Sequence, residues 1–468
     1  MSGIAGVIGE EDTHTVKKMI ERMEHRGGKK KTITGKNFAF CVASSNACDV
    51  YASEETTCIL DGLAVWHRFK GAEAIARSSA RGKIEQCMGA FAGVVWNGKE
   101  FHLFRDHFGV RPMYYAKVGE LVYFASELKG FLPLLPCMPE YINPGEEVVI
   151  SEGKTHRRRY HVLKAAERAS ECSMDAAIKK LDALLRRAVA FNLSEKCGAL
   201  LSGGIDSSCI VWYASKKLPD LRTFTACFKE GSDDAIHAEA LADELGIRHK
   251  TVEYDLEEML AVLTDVIYYL ESFDFALVRS AIPNYIVVRE ASRFVDALLS
   301  GEGGDELFAG YSYLKTIRGS LQEELIYLLY SAHNNAFQRD DRMFFAHGVE
   351  FRVPFVYQPV VEFAYTLPAS YKIHNGVNKY VLRKLMNKIG LPEYITEREK
   401  RKFSDGAGSM FAIEKFVDAA IEDDAYRAAR EKHSFLRYKE ELYYFQIFTE
   451  HFPENWTHLV GFTKRPER

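Results

Sequence analysis

Two glycine-lined stretches carry carboxylates where chemistry on a phosphate would need them. The first is Leu201-Ser202-Gly203-Gly204-Ile205-Asp206-Ser207-Ser208. It follows an apolar run and opens a helical pattern. Its glycines permit a tight turn and close backbone approach to a phosphate. N–H groups at a helix amino end attract an anion, and the hydroxyls of Ser202, Ser207 and Ser208 add donors. Asp206 would repel a bare anion; its presence makes sense if Mg2+ bridges it to pyrophosphate oxygens. The spacing is neither GxxxxGK[ST] nor a dinucleotide fingerprint. The second stretch runs from Ala297 to Tyr311 and contains Ser300-Gly301-Glu302-Gly303-Gly304-Asp305-Glu306. Again an apolar run ends in glycines and carboxylates. Either Asp305 faces the same metal as Asp206, or Asp305 and Glu306 simply cap the next helix.

The elements that must position these turns change character along the chain. Residues 1–160 read as β-rich, with strand-like runs at 38–43, 57–60 and 90–96 broken by Gly and Asn. One early helix is expected at 13–23, with Val16, Met19, Ile20 and Met23 on one face. The stretch 160–173 is polar and lacks a strand pattern, so the boundary falls there and the second domain covers 174–468. From that point a helix (176–192), a strand (198–201), a helix (207–217), a strand (222–228), a helix (235–245) and a strand (249–252) alternate. That rhythm implies right-handed crossovers and a parallel sheet. In such a sheet both glycine turns lie at carboxyl ends of strands, where ligands bind.

Composition excludes several classes. With 468 residues at roughly 100–200 per domain, two or three domains are expected. A formal net charge of −4 supplies no global field for nucleic acid. The runs Lys29-Lys30-Lys31 and Arg157-Arg158-Arg159 read as solvated loop charges. Nine scattered cysteines with no CxxC pair argue against zinc and against a disulfide framework, which suits reduced thiols and a cytoplasmic location. No apolar run approaches ~18 residues, so no membrane span is expected, and the amino end lacks a signal-peptide pattern.

The motifs taken together resemble the asparagine synthetase family. They are the LSGGIDSS turn, SGEGGDELFAGY, Gly348-Val349-Glu350-Phe351-Arg352-Val353-Pro354-Phe355 and Phe403-Ser404-Asp405-Gly406, in the family's order. Glu271-Ser272-Phe273-Asp274 with Arg279, and Asn378-Lys379-Tyr380-Val381-Leu382-Arg383, are similar too. The resemblance is strong over about 176–408. It implies an α/β fold in two parts: an αββα sandwich of the amino-terminal nucleophile hydrolase kind, then a parallel-sheet ATP-pyrophosphatase domain of the adenine nucleotide α-hydrolase type. It implies ATP and Mg2+, with Asp206 and Asp305 as metal ligands, and a carboxylate adenylated before an amine attacks. Leu201, Ala226, Ser300 and Gly301 would join the phosphate turn in holding ATP. Lys400, by itself part of a surface basic run, would stand beside the adenylate. Glu350 would accept a proton from the amine, although a structural ion pair with Arg352 is the plainer reading. Arg279 and Glu302 are candidates for the amino acid's α-carboxylate and α-amino groups.

Met1-Ser2-Gly3-Ile4-Ala5-Gly6-Val7, His25-Arg26-Gly27 and Arg105-Asp106-His107-Phe108-Gly109 resemble a class II glutaminase domain. That chemistry uses an amino-terminal cysteine, whose thiolate attacks glutamine. Here Ser2 stands at the nucleophile position, and a hydroxyl ionises far less readily than a thiol. The family's Asn-Gly-Glu step is Asp61-Gly62-Leu63, and its Gly-Ser-Asp step is replaced by Lys70-Gly71-Ala72-Glu73. The resemblance therefore implies ligation of aspartate with ammonia, and little or no glutamine hydrolysis. A ligase of the same mechanism on another carboxylate, like β-lactam synthetases or peptide cyclases, stays open, as does a non-catalytic relative. All partners implied are small molecules. The aromatic run Tyr443-Tyr444-Phe445 with Phe448 reads as core or as a homodimer contact.

Overall fold

In the computed structural model the described residues are 2–165, 172–229, 231–399 and 410–463. They form two compact units. The first takes Met1–Val162 together with Ala332–Asp341 and His451–Gly461; the second takes Leu163–Ser331, Arg342–Glu450 and Phe462–Arg468. Two short segments from far along the sequence thus pack with the amino-terminal unit, although the sequence reading left them in the second domain. No local pattern marks them; what holds them there is burial. Trp456 is fully buried in the first unit, and its indole N–H donates to the Cys137 carbonyl at 3.0 Å.

The first unit is built on two six-stranded antiparallel sheets. Ser2–Ile8 lies inside one sheet, between Phe38–Ser44 and Leu121–Ala125. Phe91–Trp96 lies inside the other, between Thr57–Gly62 and Phe101–Arg105. Alternate apolar residues of both sheets, among them Ile4, Phe40, Val42, Phe124, Ile59, Val94 and Leu103, interdigitate in one core. The helix Thr13–Glu21 covers one outer face with Val16, Met19 and Ile20. Gly71–Ser79 covers the other with Ala72, Ile75 and Ala76. The result is the expected αββα sandwich.

The basic runs read as loops are instead strands. Lys29–Gly35 and Lys154–Arg159 are the outermost strands of the two sheets. Lysine and arginine on an edge strand discourage pairing with another chain, which is where such charge belongs in a sheet. Arg157 also binds Glu146 and Glu140, and Arg158 binds Glu147, so these charges are paired as well as solvated.

The second unit contains a five-stranded parallel sheet. Its order is Arg248–Tyr254, Arg222–Phe228, Cys197–Leu200, Ala297–Leu299, Glu350–Arg352. The helix Met174–Asn192, capped by the Ser173 hydroxyl on the Ala176 N–H, buries Ile178, Leu181, Leu185 and Val189. Each such fully buried side chain contributes about 1.5–3 kcal/mol. After Leu200 the chain moves outward to one side of the sheet, through the helix Ile205–Ser215 and then Arg222–Phe228. It later returns to add Ala297–Leu299 on the other side. Cys197–Leu200 and Ala297–Leu299 are therefore neighbours at a reversal of strand order, the place where a parallel sheet has its ligand crevice, at the carboxyl ends of the strands. On the helix Lys439–His451, Tyr444, Phe445 and Phe448 are buried in core, and Tyr443 is half-buried. Among the described residues no helix is long and apolar enough to cross a membrane.

Candidate active site

The crevice brings the two acidic turns into contact. A Cβ added to Gly301 would sit 2.7 Å from the Ser207 nitrogen, and one added to Gly304 would sit 2.5 Å from Asp206 Oδ1. Only glycine permits so close an approach. Asp206 lies in the first turn of the helix Ile205–Ser215, and Asp305 in the first turn of Gly304–Phe308. Both carboxylates reach one ammonium. Lys379 Nζ is 2.5 Å from Asp305 Oδ1 and also hydrogen-bonds Asp206 Oδ2. The two acidic side chains thus share a position that a single cation spans.

Lys379 was not among the sequence candidates. It caps the helix Tyr380–Lys388 in a left-handed conformation with φ 55°. Its own N–H donates to the Phe308 carbonyl at 3.1 Å. The preceding Asn378 side chain donates to the carbonyls of Ala309 and Tyr311. A lysine inside an otherwise apolar helix start, within a stretch already matched to the family, was the available signal. Glu306 was passed over as well. The Tyr311 hydroxyl donates to it at 2.5 Å, and burial, reinforced by the Asp305 charge, holds its carboxyl above the usual carboxylate range.

The phosphate turn itself is knitted by its serines. The Ser202 N–H donates to Ser207 Oγ at 3.2 Å, the two hydroxyls are 3.1 Å apart, and Ser207 Oγ donates to the Gly204 carbonyl at 3.1 Å. Gly204 is the helix cap and makes no side-chain bond to it. Ser208 is fully buried within the helix and faces core, so it is a poorer donor candidate than its neighbours. Leu201 is tied to the next strand, its N–H donating to the Phe224 carbonyl at 3.0 Å and its carbonyl accepting from Thr225. Ala226 follows on that strand, one step beyond Thr225. The Ser300 N–H donates to the Arg352 carbonyl at 2.9 Å, and Ser300 Oγ accepts from the Glu302 N–H at 3.3 Å.

Two sequence candidates are held elsewhere. Glu350 is level with Ala297 and Cys197, at the amino ends of their strands. Three residues at about 3.3 Å each separate that level from Ser300. Its carboxylate is 2.9 Å from Arg352 Nη2, while Arg352 Nη1 donates to the Asn192 carbonyl. The plainer ion-pair reading therefore describes Glu350, because a parallel sheet separates its two strand ends. Arg279, on the helix Phe275–Ala291, closes its fork on Glu440, with Nε donating to Oε2 at 2.7 Å and Nη2 binding Oε1. Glu414 lies 3.4 Å from the same Nη2. Two of the five guanidinium donors are thereby taken, and two carboxylates already surround the group that was to meet the substrate. Lys400 and the Phe403–Gly406 motif lie outside the described residues.

The asparagine synthase family matches residues 180–321 and 316–463. Asparagine synthetase [glutamine-hydrolyzing] from Gallus gallus is 31% identical over 430 residues, covering 81% of this chain and 76% of that protein. The chain belongs to the asparagine synthase family. The Cricetulus griseus enzyme of the same name is 32% identical over the same shares. Asparagine synthetase B [glutamine-hydrolyzing] from Escherichia coli is 29% identical over 397 residues, 79% of this chain and 71% of that protein. A glutamine amidotransferase domain family matches residues 65–133. Family membership makes this chain a carbon–nitrogen ligase.

Within that asparagine synthase framework the amino-terminal unit holds an unusual set of charges. Ser2, almost wholly buried, donates its hydroxyl to Asp61 Oδ1 at 3.2 Å and accepts from the Gly62 N–H at 3.2 Å. Asp61 also accepts from the Ser126 hydroxyl and from Arg26, each at 3.0 Å. Arg26 contacts Glu127 at 2.7 Å and Asp341 at 2.8 Å. Lys129 binds Glu127 at 2.6 Å and Arg111 binds Asp341 at 3.2 Å. The charged side chains of this set are at most 1% exposed. Burial pushes the Asp61 carboxyl up, against the lowering effect of Arg26.

Proposed function

We propose that this chain adenylates a carboxylate with ATP and transfers the acyl group to an amine, with aspartate and ammonia as the first choice of substrates. The products are then asparagine, AMP and pyrophosphate. The observation that carries this reading is the convergence of Asp206 and Asp305 on one cation position beside a phosphate turn.

In the first step a carboxylate oxygen attacks the α-phosphorus of ATP, and the bond to the β-phosphate breaks. The helix amino end at Ile205–Ser215 offers N–H dipoles to the departing pyrophosphate. Lys379 adds positive charge where negative charge develops. Leu201, Ala226 and Gly301 wall the adenosine. In the second step the amine attacks the acyl carbon, and AMP leaves. Two carboxylates are too few to cage a metal, and among the described residues no group of three or more such ligands gathers. Two oxygen ligands do suit Mg2+, which completes its shell with phosphate and water. Asp206 and Asp305 would hold the ion, which would supply the remaining neutralisation of phosphate charge. Lys400 is the residue we assign to the adenylate, and Glu302 to the acyl substrate.

We assign no glutamine hydrolysis to the amino-terminal unit. Asp61, Glu127 and Asp341 are paired with Arg26, Arg111 and Lys129, and the Ser2 hydroxyl is committed to Asp61. One observation favours a second reading. Arg279 is already engaged by Glu440, which favours an acyl substrate recognised by other groups and so a carboxylate other than aspartate.

Exchange of labelled pyrophosphate into ATP over a panel of acids tests both. Aspartate-dependent exchange supports the first reading, exchange with another acid alone selects the second, and none with any acid removes the ligase. Asp206→Ala and Asp305→Ala should each lower exchange to below about a hundredth of wild type. Ser2→Ala should leave ammonia-driven turnover intact, and glutamine-driven turnover in the wild type that is lost in this variant would restore an amino-terminal nucleophile.

A further inference from the structure

The phosphate turn is braced from behind by an arginine to which no role has yet been given. Arg398 Nη1 donates to the Ser202 carbonyl at 3.1 Å, and Nη2 binds Asp234 Oδ1 at 2.6 Å. The pair is largely buried, at 11% and 9% side-chain exposure. Asp234 lies in the first turn of the helix Asp233–Leu245, whose His237 packs directly under Gly203. One fork therefore ties the turn to the helix that backs it.

The peptide between Ser202 and Gly203 is trans, since among the described residues the cis bond is Leu135–Pro136. In a trans peptide the carbonyl and the following N–H point in opposite directions. Holding the Ser202 carbonyl on the Arg398 side therefore turns the Gly203 N–H toward the other side, where a phosphate is offered donors. The backbone of Arg398 is itself fixed. Its carbonyl accepts from Arg383 Nη2 at 2.9 Å, while Arg383 Nε donates to the Asn378 carbonyl at 2.8 Å, and Nη1 binds the Thr396 carbonyl. Asn378 directly precedes Lys379, the cation shared by Asp206 and Asp305. Hydrogen bonds through Arg398 and Arg383, joined by short stretches of backbone, thus connect the turn to that cation.

We infer that Arg398 is a positioning residue that sets the phosphate turn in its nucleotide-binding shape through the Ser202 carbonyl, with Asp234 orienting the guanidinium. The inference rests on the nucleotide-binding reading above. A rigid turn costs less to order when ATP binds, so the brace acts on ATP affinity. Lysine at this position keeps the charge but lacks the planar fork that fixes the directions of the Ser202 carbonyl and Asp234, so it restores only part of the brace.

The test is calorimetric binding of ATP with magnesium to the full chain, alongside pyrophosphate exchange. Arg398→Ala should weaken ATP binding about tenfold, equivalent to ~1.4 kcal/mol, with kcat at saturating ATP within about threefold of wild type. Arg398→Lys should recover only part of the affinity. Should Arg398→Ala fail to fold, Asp234→Asn serves in its place, with an expected loss of about threefold. Affinity within twofold of wild type in the folded variant, or full recovery by Arg398→Lys, overturns the brace. Absence of ATP binding in the wild type overturns the nucleotide site itself, a result distinct from normal wild-type binding that the variants leave unchanged.

Discussion

Lys372 shows what burial does to a single charge. Its Nζ lies 3.3 Å from Gln322 Oε1 and 4.7 Å from the Tyr365 ring centroid, and the residue is fully buried. Burial pushes its ammonium down from 10.5 to about 7. The folded chain therefore binds fewer protons than the unfolded chain between these two values. Its contribution to stability is unfavourable below about pH 7 and improves as pH rises toward 10.5. Lys372→Met should raise stability at pH 7 by about 1–2 kcal/mol. That gain should shrink steadily toward pH 10, measured as urea midpoints across the range. Parallel profiles for the two proteins would mean that Lys372 is charged as freely in the folded chain as in water.

At the scale of the element, the phosphate turn depends on how closely a helix approaches it. Gly203 has φ +64°, and a Cβ there would lie 2.4 Å from the Cβ of His237 and 3.0 Å from the Ala238 nitrogen. Gly246, which closes the helix Asp233–Leu245, has the same φ of +64° with nothing within 4 Å. The pair separates backbone strain from close approach. Alanine at either site should cost about 1 kcal/mol through the left-handed conformation. Gly203→Ala should in addition displace the turn and weaken ATP binding at least tenfold, whereas Gly246→Ala should bind ATP normally. Equal ATP affinity in the two variants would show that the approach of His237 has no bearing on the nucleotide.

At the scale of the whole molecule, the amino-terminal unit is completed by chain from far downstream. Ala332–Asp341 contributes Asp341, the partner of both Arg26 and Arg111, and His451–Gly461 contributes the buried Trp456. Trp456→Ala should destabilise that unit by about 3–5 kcal/mol. Hydrogen exchange reads this by element. Protection should fall in Ser2–Ile8 and Phe91–Trp96 and persist in Arg222–Phe228. An equal fall in all three would contradict the division into two units.

The sequence by itself determined the local elements and the chemistry of the turns. The strand Arg222–Phe228 lies where its apolar run predicts it, and the helix Met174–Asn192 begins at its serine cap. The glycines and carboxylates of the two acidic turns were legible because turn geometry and charge are properties of consecutive residues. Tertiary structure alone decided which distant groups meet. It brought Lys379 to Asp206 and Asp305, closed Arg279 on Glu440, and set Glu350 at the far end of its strand beside Arg352. It also turned two basic loops into edge strands and gave the amino-terminal unit its Trp456. Periodicity and capping act within a few residues. Ion pairs, strand order and core burial depend on where the folded backbone carries residues beyond that reach, and the local patterns of a single sequence do not display those encounters.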